Sequence, residues 1–225
     1  MIAYEKLFLV FLLYSIFGWL IEVIATYPDE RKLVNRGFLI GPYCPIYGFG
    51  FLIITIFLKN FIDHPIILFF AIMCSCTIIE YITSLLMEKL FNARWWDYSN
   101  KKFNISGRVC LINSLYFGII GLFVLYYIDP YTEDFVNSFS NNKIHLMSLF
   151  SLVVFAIDFI LSFNIMNKFK NKINFINRDN TSEIKEKINQ IMNDNILTRR
   201  VKNAFQNYSP MKTLKKIKKK IANML

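Results

Sequence analysis

The sequence predicts an all-α integral membrane protein with five transmembrane helices, and three observations support this prediction. The chain of 225 residues is 55% hydrophobic and 17% aromatic, with a mean hydropathy of +0.37. Apolar runs take up most of the first 165 residues, whereas a soluble domain of this size needs a polar shell. The runs lack the period-2 alternation of membrane barrels, so they are expected to satisfy their backbones as helices.

Five apolar segments have about the length that a bilayer requires. A hydrocarbon core about 30 Å thick needs roughly 20 residues of helix, so the second segment is short and the others are sufficient. Residues 1–167 are therefore predicted to form a membrane domain, and residues 168–225 a separate tail. The segments are 7–26, 42–58, 65–87, 109–128 and 144–166.

The distribution of Lys and Arg predicts the orientation in the membrane. Three of the 26 basic residues lie in the 26–42 loop, five in the 87–108 loop and 15 from Lys168 onward. The other side of the membrane has only Lys6, Lys59 and Lys143. By the positive-inside rule, the N-terminus lies outside and the basic tail lies in the cytoplasm, which requires an odd number of spans.

Three acidic residues lie inside the apolar segments at nearly the same depth. Glu22, Glu80 and Asp158 fall 15, 15 and 14 residues into their segments. At about 1.5 Å per residue, this is roughly 21–23 Å into the membrane. A carboxylate at this depth costs a few kcal/mol unless it has a partner. These acids therefore indicate either a functional cavity or helix packing through hydrogen bonds, and both interpretations stay open.

Each of the three acids belongs to a stripe of polar or small residues on one side of its helix. Steps of three, four or seven residues place the members of a stripe on one helical face. Such faces usually contact protein or water rather than lipid. The stripes are Ser15, Gly18, Glu22 and Thr26; Thr77, Glu80, Ser84 and Glu88; and Ser151, Asp158 and Ser162.

The two cytoplasmic loops supply candidate partners for these acids. Pro42 and Pro45 are predicted in the first turn of the second helix, and Ser106 is predicted as N-cap of the fourth. The N-terminus of each of these helices favours the binding of an anion. The anion is either one of the intramembrane acids or a carboxylate or phosphate group of a substrate. The candidate polar site comprises Glu22, Arg36, Tyr43, Tyr47, Glu80, Arg94, Trp95, Trp96, Asp97, Tyr98, Asn104, Arg108 and Asp158.

Several segments of the chain resemble the CmpB family of type IV ABC-transporter permeases. The resemblance covers about residues 5–165 and excludes the tail. It implies a permease subunit that moves a small solute and is powered by a separate ATPase, in the plasma membrane of a bacterium. The segments that carry it are residues 17–22, 35–38, 41–48, 80–81, 94–98 and 104–110.

The residues themselves leave two other function classes open. A membrane-embedded enzyme or lipid-head-group-binding protein would use Glu22, Glu80 and the arginines on a substrate at the cytoplasmic side. A structural partner of another membrane complex is the third class. The sequence has no Gly-x-x-x-x-Gly-Lys loop, no Ser-His-Asp arrangement and no zinc-ligand spacing, so we expect no cofactor, no metal and no ATPase activity.

The tail from Lys168 to Leu225 has 15 basic and 4 acidic residues. Ser209 and Pro210 indicate a helix start, after which apolar residues recur at helical spacing among six lysines. This pattern predicts an amphipathic helix on an anionic leaflet, and tethering to the membrane favours lipid over nucleic acid as its partner. The alternative is a disordered tail that only enforces orientation. The apolar residues are Met211, Leu214, Ile217, Ile221 and Met224.

Overall fold

A computed structural model describes residues 2–31, 33, 35, 37–91 and 94–176, and these residues are mostly helical. The two short strands β1 (Asn104–Ile105) and β2 (Val109–Cys110) pair as an antiparallel hairpin before the fourth helix. The helices are α1 (Ile2–Glu30), α2 (Pro45–Ile53), α3 (Pro65–Phe91), α4 (Leu111–Phe123), α5 (Asp129–Asn137) and α6 (Asn141–Ile176).

Two of these helices, α2 and α4, are continued by short π-helical or 3-10 segments. After α2, residues Ile54–Leu58 are π-helical and Lys59–Phe61 form a 3-10 turn, which together give one apolar helix, Pro45–Phe61. After α4, the π-helical segment Val124–Ile128 leads directly into α5. The fourth apolar segment is therefore a single helix from Leu111 to Asn137.

Within the part of the chain that the structure describes, four helices are long and apolar enough to cross a membrane, and Pro45–Phe61 is a shorter apolar helix. Many of their large apolar side chains are exposed, which suits contact with lipid rather than water. The sequence prediction of a helical membrane protein is therefore confirmed at the level of fold class. The four long helices are Ile2–Pro28, Pro65–Phe91, Leu111–Asn137 and Asn141–Lys168.

The helices associate as two hairpins and one long additional helix. α1 packs against α2, α3 packs against α4, and α6 lies along α1. Close approach of α1 and α2 depends on two glycines. A Cβ at Gly48 would overlap Ser15 and Phe11, and a Cβ at Gly18 would overlap the ring of Tyr47. The polar stripe of α1 therefore faces a neighbouring helix, as predicted.

The start of α4 differs from the sequence prediction. Ser106 is not an N-cap, because it occupies the turn of the hairpin with a φ of 54°, followed by Gly107 at 67°. The Arg108 N–H closes this turn by donating to the Ile105 carbonyl at 3.0 Å. Two successive positive φ values are typical of the tight turns that join antiparallel strands. Cys110, in an extended conformation, immediately precedes the helix instead.

Three other predicted boundaries also shift. Pro45 opens α2 as predicted, whereas Pro42 lies in the preceding loop. The fourth helix passes the predicted end at residue 128, because Pro130 falls in the first turn of α5, where a missing N–H is tolerated. α6 continues to Ile176, past the predicted end of the fifth apolar segment at residue 166. The predicted tail helices lie outside the described residues.

Candidate functional site

Glu22 of α1 is paired with Tyr47 from the first turn of α2. The Tyr47 hydroxyl donates a hydrogen bond of 2.5 Å to Oε1 of Glu22. Gly18 lies one helical turn before Glu22 and leaves the space that the Tyr47 ring occupies. Both residues of the pair are half-buried, so the packing of two helices fixes the position of this carboxyl group.

Glu80 of α3 is paired with a tyrosine from the loop that precedes the hairpin. The Tyr98 hydroxyl donates to Oε1 of Glu80 at 3.2 Å. Glu80 is only 6% exposed, and its Oε2 is buried without a hydrogen-bond partner in the described part of the chain. Burial of a carboxyl oxygen without a donor is costly, so Oε2 is the less satisfied of the two Glu80 oxygens.

These two pairs lie next to each other and form one cluster, which we call the acid–tyrosine cluster: Glu22, Tyr47, Glu80 and Tyr98. Burial raises the pKa of Tyr98 above its usual value, and the charges of Glu80 and Glu22 raise it further. Both carboxyl groups therefore act on the same phenol. Glu22 also interacts electrostatically with Glu80, and Tyr47 with Tyr98.

The arginines of the second loop pair with Glu88 rather than with the acid–tyrosine cluster. Nη2 of Arg108 lies 2.6 Å from Oε2 of Glu88, and Nε of Arg94 lies 3.0 Å from the same oxygen. Arg108 also donates to Oγ of Ser84 at 3.2 Å and lies over the ring of Tyr81. Arg108, a candidate partner of the intramembrane acids, is therefore engaged by Glu88, which lies about two turns beyond Glu80 on α3. Arg36, the other candidate partner, lies outside the described residues.

The loop from Arg94 to Cys110 is cross-linked by hydrogen bonds that hold Tyr98 in place. The Tyr98 N–H donates to the Gly107 carbonyl at 2.8 Å, which ties the loop to the turn of the hairpin. Asn104 accepts from the Gly107 N–H at 3.0 Å, and Asp97 accepts from the Ser99 N–H at 3.0 Å. Further bonds run from Arg94 to the Ser106 carbonyl and from Trp96 Nε1 to the Arg108 carbonyl.

Trp95 packs inside the protein. It is 4% exposed and contacts the rings of Phe38 and Phe91 edge-on. Aromatic residues in loops at a membrane interface often form an exposed anchoring belt, and this tryptophan does not. Instead, it joins the loop before α2 to the end of α3, so the two cytoplasmic loops of the sequence prediction are in contact.

Asp158 of α6 is engaged with the first loop and with its own helix. Its Oδ1 accepts from the Ile40 N–H at 2.9 Å and from Ser162 Oγ at 2.8 Å. Its Oδ2 accepts from the Gly41 N–H at 2.7 Å and from the Tyr43 hydroxyl at 2.6 Å. Burial and the adjacent Asp158 raise the pKa of Tyr43. These contacts make Asp158 an anchor for the loop that leads into α2.

A second polar cluster, at the opposite end of α2, was missed by the sequence analysis. Lys59 lies 3.1 Å from Oδ2 of Asp129 and 2.5 Å from Oε1 of Glu133. Asp129 is only 1% exposed, although the sequence places it in an outer loop. The available signal was Lys59, a lone cation at the end of an apolar segment. Its pairing depends on α4 and α5 being continuous.

The acid–tyrosine cluster offers acidic oxygens and phenols, which suit the binding of a positive charge. In the ranges that the structure describes, no group of three or more His, Cys, Asp or Glu side chains is suited to a metal ion. Arg94 and Arg108 are already paired with Glu88, so their role is to hold the loop and the Glu88 side chain in position.

Residues 9–163 match the profile of the CmpB family, whose description reads "Putative ABC-transporter type IV". The match includes every residue of the acid–tyrosine cluster, together with the Glu88 and Asp158 networks. No curated protein and no solved structure matches the chain.

Proposed function

Because the chain belongs to the CmpB family, we propose that it is the membrane-spanning permease subunit of an ABC-type transporter that moves a small solute across a plasma membrane. The observation that carries this proposal is the match over residues 9–163, a range that includes nearly all of the apolar helices. The helices and the family together support a multi-pass membrane protein.

In this proposal the helix Pro45–Phe61 crosses the membrane as well, giving five spans. Its 17 residues are at the lower end of the length that spans a bilayer. It packs against both α1 and α3, so neighbouring helices cover part of its surface, whereas Phe49 and Phe57 stay exposed. With the N-terminus outside, the loops around Gly41 and Tyr98 face the cytoplasm, and the Lys59–Asp129 pair lies at the outer end.

The acid–tyrosine cluster is the proposed contact site for the solute. It is formed by two helices, one helix start and one loop, so a relative movement of the two helical hairpins would change its geometry. Asp158, Arg94, Arg108 and Asn104 hold the surrounding loops in position. The tail beyond Ile176 is proposed to lie on anionic lipid at the cytoplasmic face.

A transporter of this type needs an ATPase, and this sequence has no nucleotide-binding loop of its own. We propose that a separate ATPase subunit docks on the hairpin loop. Its tip presents Phe103, 78% exposed, and Ile105, 61% exposed, beside the exposed Lys101 and Lys102. Exposed apolar side chains with a charged rim are typical of a protein interface.

The test is affinity purification of the full chain from gently solubilised membranes of its own cell. An ATPase should be recovered in stoichiometric amount, and the Phe103→Asp and Ile105→Asp variants should reduce its recovery at least several-fold. Tyr131→Asp is the matched control, because Tyr131 is 76% exposed near the opposite end. Recovery of the protein alone with bound phospholipid would instead favour the lipid-acting alternative.

A further inference from the structure

Glu80 and Asp158 are both buried carboxyl groups in long apolar helices, yet their oxygens are satisfied very differently. Glu80 is 6% exposed and Asp158 is 8% exposed. Each oxygen of Asp158 accepts two hydrogen bonds. In Glu80, Oε1 accepts one hydrogen bond from Tyr98, whereas Oε2 accepts none within the described ranges.

This difference determines which charge state each environment can hold. Four donors replace the water that a buried carboxylate loses, so Asp158 is compatible with a full negative charge. Glu80 has one donor for two oxygens, and the carboxyl group of Glu22 opposes a second negative charge nearby. The nearest cations of the described loop, Arg94 and Arg108, are engaged by Glu88.

The other titratable groups around Glu80 do not supply the missing positive charge. Tyr47 approaches the cluster from α2, Tyr98 from the loop, and Cys76 lies one turn earlier on α3. Phenols and a thiol are neutral or negative, so they add no positive charge. A proton bound to Glu80 would neutralise its unfavourable negative charge, and no other ligand would be needed.

We propose that Oε2 of Glu80 is a proton-binding site. A proton from water binds the carboxylate and gives a neutral carboxyl group, and its release returns the proton to water and restores the anion. This site goes beyond the proposed permease function, because it depends on the membrane domain alone and not on an ATPase. In the proposed permease, the proton would set how much negative charge a solute meets in the cluster.

The first test is modification of the purified full-length protein by dicyclohexylcarbodiimide, which reacts with protonated carboxyl groups in apolar surroundings. Mass spectrometry should find the adduct on Glu80, and its yield should fall as the pH rises and the proton leaves. Asp158 is the internal control, because it has the same burial but four donors, and it should give at least tenfold less adduct. Glu80→Gln should abolish the adduct.

Two variants test whether the surroundings found in the structure hold the proton. At neutral pH, Glu22→Gln should lower the yield on Glu80, because it removes the neighbouring negative charge. Tyr98→Phe should raise the yield, because the anion loses its one hydrogen-bond donor. An unchanged yield in both variants would overturn the proposed site.

Infrared spectroscopy provides a measurement that does not depend on access of the reagent. A carbonyl stretch of a protonated carboxyl group should be present in the unmodified protein and should disappear in Glu80→Gln but persist in Asp158→Asn. The inference is overturned if this band persists in Glu80→Gln, or if the adduct yield on Glu80 never exceeds that on Asp158.

Discussion

The Tyr47 hydroxyl donates a hydrogen bond of 2.5 Å to Oε1 of Glu22 and thereby joins the start of α2 to the C-terminal half of α1. The ring of Tyr47 lies against Gly18, one turn earlier on α1. One face of α1 therefore supplies both a helix contact and a carboxyl group of the candidate site. The packing and functional interpretations of this polar stripe are compatible.

The contact between Gly18 and Tyr47 predicts that a single methyl group added at position 18 lowers the stability of the protein. Gly18→Ala should destabilise the protein by about 1–3 kcal/mol, because the added Cβ would overlap the Tyr47 ring and force it to shift. Gly50→Ala is the matched control on α2, since its nearest neighbour, the Cys76 sulfur, is 3.7 Å away. Thermal unfolding in detergent measures both, and equal midpoints for the two variants would contradict the packing described.

The four hydrogen bonds of Asp158 predict that it secures the loop before α2. Asp158→Asn replaces one acceptor oxygen by an NH2 group that faces donors, so the loop should loosen at Gly41 and Tyr43. Cys44, which is 6% exposed, should then react faster with a maleimide. Ser162→Ala removes one of the four bonds and should have a smaller effect. Equal thiol reactivity in all three proteins would show that Asp158 does not hold the loop.

The ion pair between Arg108 and Glu88 predicts coupling between these two positions. Arg108→Gln should cost about 1–3 kcal/mol, less than a fully stranded buried charge, because Arg94 still contacts Glu88 at 3.0 Å. In a double-mutant cycle with Glu88→Gln, the interaction energy should be about 0.5–3 kcal/mol. If the changes in unfolding free energy of the two single variants simply add in the double variant, Arg108 and Glu88 do not interact. A second cycle of Arg108→Gln with Glu133→Gln is the control, and it should show no interaction energy.

The predicted orientation can be tested by labelling single cysteines in a variant without the four native ones. A cysteine at Asn141, an exposed residue at the start of α6, should react with an impermeant thiol reagent in whole cells. A cysteine at Asn180 should react only after the membrane is permeabilised. The reverse pattern would invert the protein and move the acid–tyrosine cluster to the outer half of the membrane.

The alternation of lysines and apolar residues near the C-terminus predicts lipid-dependent helix formation. A peptide of residues 209–225 should gain helical circular dichroism on anionic vesicles and not on neutral ones. Added salt should weaken this binding, because the attraction to anionic lipid is screened. A peptide that stays unfolded on both kinds of vesicle would leave the disordered tail as the explanation.

The sequence by itself determined the class of this protein and the faces of its helices. Hydrophobic runs of membrane length produce helices wherever they occur, so the segments around Glu22, Glu80 and Asp158 were predictable, as were the polar stripes on which they lie. These properties are local, because they follow from helical periodicity and from the hydropathy of neighbours in the chain. Element ends were less predictable: the hairpin turn at Ser106 and Gly107 depends on two positive φ values rather than on a capping side chain.

Only the tertiary structure decided which groups meet. The sequence placed three acids at one depth, but Glu80 meets Tyr98, Asp158 meets the loop at Ile40 and Gly41, and Arg108 meets Glu88. A shift of about two helical turns along α3 would exchange Glu88 for Glu80 as the partner of that arginine. Axial offset and rotation between helices are set by long-range packing, such as Gly18 against Tyr47. Helical periodicity within one segment carries no information about these offsets.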